Sequence, residues 1–161
     1  MRVIIENEYD DICNWVSTYI KDKINNCTRP YFVLGLPTGS TPLKVYENLV
    51  NYYKKGEISF ENVITFNMDE YVGLEKTNTQ SYNYFMRTNF FNHIDIPEEN
   101  INLLDGMVED LDEECLQYER KIEKVGGIEI FEEFTTKNQF FHIEITTIIK
   151  ELLTNYYPTK H

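Results

Sequence analysis

The sequence predicts an α/β fold: an open, mainly parallel sheet flanked by helices. Three observations predict it. Tyr31-Phe32-Val33-Leu34-Gly35-Leu36 is a continuous apolar run, the composition of a strand buried on both faces. Strand-like and helical segments alternate along the chain, which argues for parallel strands joined by right-handed crossovers. The 161 residues, 42% of them apolar and 26% charged, suffice for one domain with a hydrophobic core.

The elements follow in order. Residues 2–6 read as a short first strand. Ile12, Trp15, Val16, Tyr19, Ile20, Ile24 and Cys27 then recur at three- and four-residue steps, a helix that Asp10 or Asp11 could start. The buried strand at 31–36 breaks at Pro37-Thr38-Gly39-Ser40. Thr41 is a good N-cap, with Pro42 at the first helical position and Leu43, Tyr46, Leu49, Val50 and Tyr53 as the apolar face. Gly56 stops this helix. Residues 63–66 form the next strand, which runs into Asn67-Met68-Asp69-Glu70-Tyr71. Residues 81–91 are helical, 93–106 irregular and 110–125 helical again, with Leu111, Cys115, Tyr118, Ile122 and Val125 aligned, ending at Gly126-Gly127. Ile128-Glu129-Ile130-Phe131 begins a fourth strand. The last thirty residues have a different texture: a polar stretch, then Phe141, Ile145, Ile148, Ile149, Leu152, Leu153 and Tyr156 at helical spacing. Their many β-branched neighbours keep a strand open as the alternative. We divide the chain into 1–131 and a divergent tail, 132–161, that leaves the fold incomplete at its C-terminal end.

Composition restricts the function. The formal net charge is −12, which disfavours nucleic acid, a partner that needs clustered Lys and Arg. The same charge repels a small anion at long range, so any phosphate site must be built locally from backbone N–H groups and a few side chains. Three cysteines, Cys13, Cys27 and Cys115, with no CxxC pair, indicate neither a disulfide framework nor a zinc site. No signal peptide and no membrane span is expected, and the protein reads as soluble and cytoplasmic.

Two segments sit at the carboxyl ends of strands, where open α/β sheets bind ligands. In the first, Thr38-Gly39-Ser40-Thr41 leads from a strand to a helix N-terminus. Unpaired N–H groups, a partial positive charge and three hydroxyls there suit a phosphate. The same residues would equally make an ordinary βα turn with a capped helix. In the second, Asp69 and Glu70 are adjacent carboxylates, candidates for general-base work if a cleft raises their pKa. A solvated turn acid and a helix cap are the commoner fates of such a pair.

The strings Phe32-Val33-Leu34-Gly35-Leu36-Pro37-Thr38-Gly39-Ser40-Thr41-Pro42 and Thr65-Phe66-Asn67-Met68-Asp69-Glu70-Tyr71-Val72-Gly73-Leu74 closely resemble glucosamine-6-phosphate deaminases. So do Ser81-Tyr82, Asn89-Phe90-Phe91-Asn92-His93-Ile94-Asp95-Ile96 and Gly126-Gly127-Ile128-Glu129-Ile130-Phe131, in consistent order up to about residue 131. The resemblance implies a sugar-phosphate isomerase-like, Rossmann-type fold. The reaction it implies turns glucosamine 6-phosphate and water into fructose 6-phosphate and ammonia, classed as a hydrolase with isomerase-like chemistry and using no metal or organic cofactor. It assigns Thr38, Gly39, Ser40 and Thr41 to the substrate phosphate. Asp69 would be the base that moves a proton between C2 and C1, with Glu70 and Tyr82 close to the sugar. It also implies a homo-oligomer or pairing with a full-length subunit.

The likeness stops where the family continues with a Gly-rich loop of the type GxGxDGHIAFNEP, whose His opens the sugar ring. Glu132-Glu133-Phe134 stands there instead. His142-Ile143 echoes the His-Ile pair, but no Asp-Gly precedes it and no Asn-Glu-Pro follows. Little activity is therefore expected of this chain alone. Two further readings stay open: a non-catalytic isoform that binds sugar phosphate or another subunit, and a 6-phosphogluconolactonase-like hydrolase, against which the Asn67–Leu74 string weighs.

Overall fold

The computed structural model describes residues 8–135 and 140–144. Five strands form one open sheet in the order β3-β2-β1-β4-β5: β1 (Phe32–Leu36), β2 (Val63–Asn67), β3 (Ile101–Asn102), β4 (Ile130–Thr135) and β5 (Phe140–Glu144). The first four run parallel, and β5 returns antiparallel along β4. Helices α1 (Tyr9–Asn25), α2 (Leu43–Lys54), α3 (Tyr82–Asn89) and α4 (Leu111–Lys124) cover the two faces. The expected α/β architecture is what the chain adopts.

Every residue of β1 and β2 is buried, as a central parallel strand requires. Alternate side chains serve different cores, because successive residues of a strand point to opposite faces. Phe32, Leu34, Leu36 and Val63 join Ile12, Val16 and Ile20 of α1 and Val45, Tyr46 and Leu49 of α2. Val33, Ile64 and Phe66 meet Tyr118 and Ile122 of α4 and Ile128 on the other face. The first core closes around Phe90, which stacks on Tyr46 at 5.0 Å and takes Phe60 edge-on at 5.5 Å between ring centroids. Side chains join α1 to α2 as well: Asn48 Nδ2 donates to Asn14 Oδ1 at 3.0 Å, and the Thr18 and Tyr52 hydroxyls lie 3.0 Å apart.

Two local expectations change. Thr41 does not cap α2: the N-cap position falls on Pro42, which makes no side-chain bond, and the Tyr9 hydroxyl of α1 donates to the Thr41 carbonyl and meets the Lys44 backbone in the first turn. Pro42 is already in helical conformation, so the cap position has moved past the hydroxyl-bearing residue. Phe141, the first residue of the helical pattern in the tail, lies in β5, so over 140–144 the strand alternative holds. β4 runs through residues 131 and 132 without a break. The expected strand at 2–6 and the apolar segment from 145 onward fall outside the described residues. No helix among the described residues is long and apolar enough to cross a membrane.

Candidate active site

β1 and β2 end side by side, with Leu36 in register with Asn67. The loops that follow therefore leave from the same edge of the sheet. Three polar side chains fix them there. Asn67 Nδ2 donates to the Leu36 carbonyl at 3.0 Å, bracing one strand end against the other. The buried Tyr118 hydroxyl of α4 reaches the carbonyls of Asn67 and Asn102, each at 2.8 Å. The Tyr46 hydroxyl of α2 donates to the Pro37 carbonyl.

From these braced ends the two predicted segments meet. Thr38 Oγ1 donates to Asp69 Oδ1 at 3.3 Å. Gly39 follows with φ +115°, a conformation that L side chains rarely adopt, and a Cβ there would meet open space. The constraint at Gly39 is thus backbone shape, which leaves room above the loop. Ser40 is exposed, and Thr41 is half-buried against Tyr9. The N-terminus of α2 beyond them has no acidic residue in its first turn, and its N-cap residue, Pro42, makes no side-chain bond. Helices α1 and α4 both carry acids in that position. The Tyr9 hydroxyl meets the Lys44 backbone in this turn, and the partial positive charge of the helix end is balanced by no carboxylate of its own.

The two adjacent acids separate. Glu70 turns to α3, where its carboxylate accepts from the backbone N–H groups of Tyr71, Tyr82 and Asn83, each at 2.9 Å. Ser81 completes the cap by accepting from Tyr84 N–H at 3.0 Å. Glu70 is thus a positioning residue that ties the Asp69 loop to the helix carrying Tyr82. Asp69 stays free for chemistry. It is open to solvent on one side, while the protein packed around its other sides desolvates it and raises its carboxyl above the ordinary value. The Glu70 charge pushes the same way, and the Thr38 hydrogen bond opposes both.

Tyr82 lies against Tyr71, with rings 4.8 Å apart and hydroxyls 3.3 Å apart. Burial, the Tyr71 hydroxyl and the Asp69 charge hold the Tyr82 phenol well above its usual range, so it stays a proton donor. A cavity of about 500 Å³ opens here, walled by Gly39, Tyr71, Leu74, Gln80, Tyr82 and Phe85 among others. Gly39 and Tyr82 join this wall to the Thr38–Asp69 contact, although Thr38 and Asp69 are not themselves in it. The sequence reading missed Tyr71 as the partner of Tyr82, and Asn67 and Tyr118 as braces. Tyr118 looked like one more core residue of a helical stripe, and nothing in its spacing marked the hydroxyl.

Known proteins share both the sequence and the fold. The family model described as glucosamine-6-phosphate isomerases/6-phosphogluconolactonase matches residues 7–141. Glucosamine-6-phosphate deaminase of Treponema denticola is 54% identical over 134 residues, covering 81% of this chain and 50% of that protein. That of Fusobacterium nucleatum is 59% identical over 121 residues, covering 73% and 44%. The chain thus spans about half the length of the curated relatives it matches. A solved structure of a monomeric glucosamine-6-phosphate deaminase superposes with a TM-score of 0.79 at 31% identity, covering 89% of this chain and 58% of that one. The 6-phosphogluconolactonase of Thermotoga maritima, at 21% identity and a TM-score of 0.60, shares the fold. These names correct the hydrolase classification: the relatives are deaminases of isomerase type, and hydrolysis is not the chemistry that defines them. The matched strands, the loops at their carboxyl ends and the relatives together show that the chain belongs to the glucosamine-6-phosphate isomerase/6-phosphogluconolactonase family, as the counterpart of the N-terminal part of its glucosamine-6-phosphate deaminases.

Proposed function

We propose that the cleft binds glucosamine 6-phosphate and carries the proton-transfer half of its conversion to fructose 6-phosphate and ammonia. The observation that supports this best is the 3.3 Å contact between Thr38 and Asp69 beside a helix N-terminus with no acidic residue in its first turn. It sets an anion site and a carboxylate side by side, as a phosphorylated sugar requires.

In this reading the phosphate rests on the α2 N–H groups and on Thr38, Gly39, Ser40 and Thr41. The opened sugar extends toward Asp69. Its carboxylate takes the C2 proton, leaving an enolamine, and returns a proton to C1. The resulting C2 imine adds water and releases ammonia. A base with a moderately raised pKa suits the first step, provided that it is ionised at the working pH. Tyr82 and Tyr71 offer hydroxyl donors to sugar oxygens from the cavity wall. A cytoplasmic location goes with a phosphorylated metabolite, and a homo-oligomer or a longer partner subunit would supply the groups this chain lacks.

A second reading, binding without turnover, is favoured by one feature. Glu132-Glu133-Phe134 occupies the place of the ring-opening loop in the resembling enzymes. One pair of measurements separates the two. Isotope-edited NMR with glucosamine 6-phosphate should shift the Gly39 and Thr41 amides, and a coupled assay should read fructose 6-phosphate. Shifts without product favour binding alone, and the absence of both defeats the proposal. Asp69→Asn should keep the amide shifts while abolishing any turnover.

A further inference from the structure

The loop that carries Asp69 is gripped from two sides. Glu70 holds it to α3, as described. On the other side lies Gly106, in the turn that precedes α4. Gly106 is buried, and its carbonyl accepts from Gly73 N–H at 2.8 Å. A Cβ built on it would stand 2.1 Å from the Tyr71 carbonyl oxygen, 2.9 Å from the Tyr71 carbonyl carbon and 3.2 Å from Val72 Cα. All three are backbone atoms, so no flexible side chain can swing away to make room.

The turn itself is anchored. Asp105 N–H donates to Glu114 Oε1 of α4 at 3.1 Å, and Asp105 Oδ1 accepts from Met107 N–H at 3.0 Å. The Asp105 carboxylate also pairs with Lys76 at 3.0 Å, across to the far end of the same loop. Tyr71 is therefore held between Gly106 on one flank and the Glu70 carboxylate at its N–H on the other. Its ring, tilted against that of Tyr82, forms part of the cleft wall.

We infer that Gly106 is a positioning residue for the cleft: lacking a side chain, it lets the turn anchored on α4 seat against the Tyr71 backbone and so holds the Tyr71 ring against Tyr82. A methyl group there forces the Tyr71 backbone outward by roughly 1 Å, a misplacement that can cost a positioned site on the order of 10²-fold. The consequence for sugar-phosphate binding rests on the function proposed above, whereas the consequence for the ring contact does not.

The test compares Gly106→Ala with Gly56→Ala in the whole 161-residue chain. Gly56 has φ +72° in open space past the end of α2, so alanine strains the backbone there without touching the cleft. Three quantities are read: thermal unfolding, NOEs between the Tyr71 and Tyr82 rings, and the response of the Gly39 amide to glucosamine 6-phosphate. Both variants should unfold at lower temperature. Only Gly106→Ala should lose the ring NOEs and weaken the ligand response by about tenfold or more. A folded Gly106→Ala protein that keeps the ring NOEs overturns the inference. If Gly106→Ala does not fold, the double variant Lys76→Met, Glu114→Leu removes both ties of the same turn without added bulk at Gly106. It should weaken the ring NOEs, and unchanged NOEs again overturn the inference. Wild-type protein that shows the ring contact but no response to glucosamine 6-phosphate defeats the proposed function and leaves the role of Gly106 standing.

Discussion

Asp69 and Glu70 are neighbours of the same chemical type with opposite tasks. Glu70 accepts two backbone N–H groups that the first turn of α3 would otherwise leave unpaired, and a third from Tyr71 in its own loop. Glu70→Ala should lower stability by about 1–3 kcal/mol, read from urea denaturation, because hydrogen bonds to a charged acceptor are lost together with a helix cap. A loss below a few tenths would show that water replaces the carboxylate without cost. Asp69 behaves in the opposite sense. Its folded carboxyl is raised above its ordinary value, so the ionised form is disfavoured in the folded state. The cost is present above the raised pKa, shrinks as pH falls through it, and is gone below the unfolded value. Asp69→Asn should therefore stabilise the chain at pH 7 and lose that advantage at pH 3. An advantage that grows on acidification would refute the desolvated setting of Asp69. The sequence offered cap and base as alternatives for this pair but could not divide them. Which carboxylate meets α3 depends on where that helix starts in space, and Ser81 as its N-cap fixes this only in the fold.

Elements were more legible than side-chain partners. The apolar runs of β1 and β2 follow from burial on both faces, and the periodic faces of α1, α2 and α4 from the 3.6-residue repeat of a half-buried helix. Helix ends were legible where glycine marks them: Gly56 and Gly126-Gly127 donate N–H groups back to the last turns of α2 and α4. Thr41 misled because a hydroxyl before proline looks like a cap, while the tertiary contact from Tyr9 uses its carbonyl. The convergence of Thr38 and Asp69 was legible once both strands were read as parallel, since parallel neighbours deliver their following loops to one edge. The brace from α4 was not legible, because Tyr118 shares its spacing with Ile122 and fills the same core. Removing only that hydroxyl tests the brace. Tyr118→Phe should cost about 1–2 kcal/mol, since a buried donor to two strand-end carbonyls disappears while the ring packing on Phe66 remains. Unchanged stability to urea would mean that the hydroxyl does not hold the ends of β2 and β3 together.

At the scale of the whole molecule, a chain of net charge −12 would bind the proposed sugar phosphate against its own field. Charges beyond about 10 Å are screened at 0.1 M salt, whereas contacts at the α2 N-terminus are not. Association with glucosamine 6-phosphate should therefore quicken as salt rises from about 10 mM to 100 mM. Slower association would mean that a local cationic patch dominates the encounter. Turnover is a separate matter from binding. In the proposed reaction Asp69 would act only on an opened sugar, which the resembling enzymes open with a His in a loop that residues 132–161 do not contain. General acid–base assistance contributes roughly 10²–10⁴-fold, so its loss alone would remove most of the rate. The purified 161-residue chain should accordingly shift its Gly39 and Thr41 amides with glucosamine 6-phosphate yet give almost no fructose 6-phosphate in a coupled assay. Turnover at an ordinary enzymatic rate, abolished by Asp69→Asn, would overturn this. A group in the last thirty residues would then have to open the ring, and His142→Ala would be the first variant to show it.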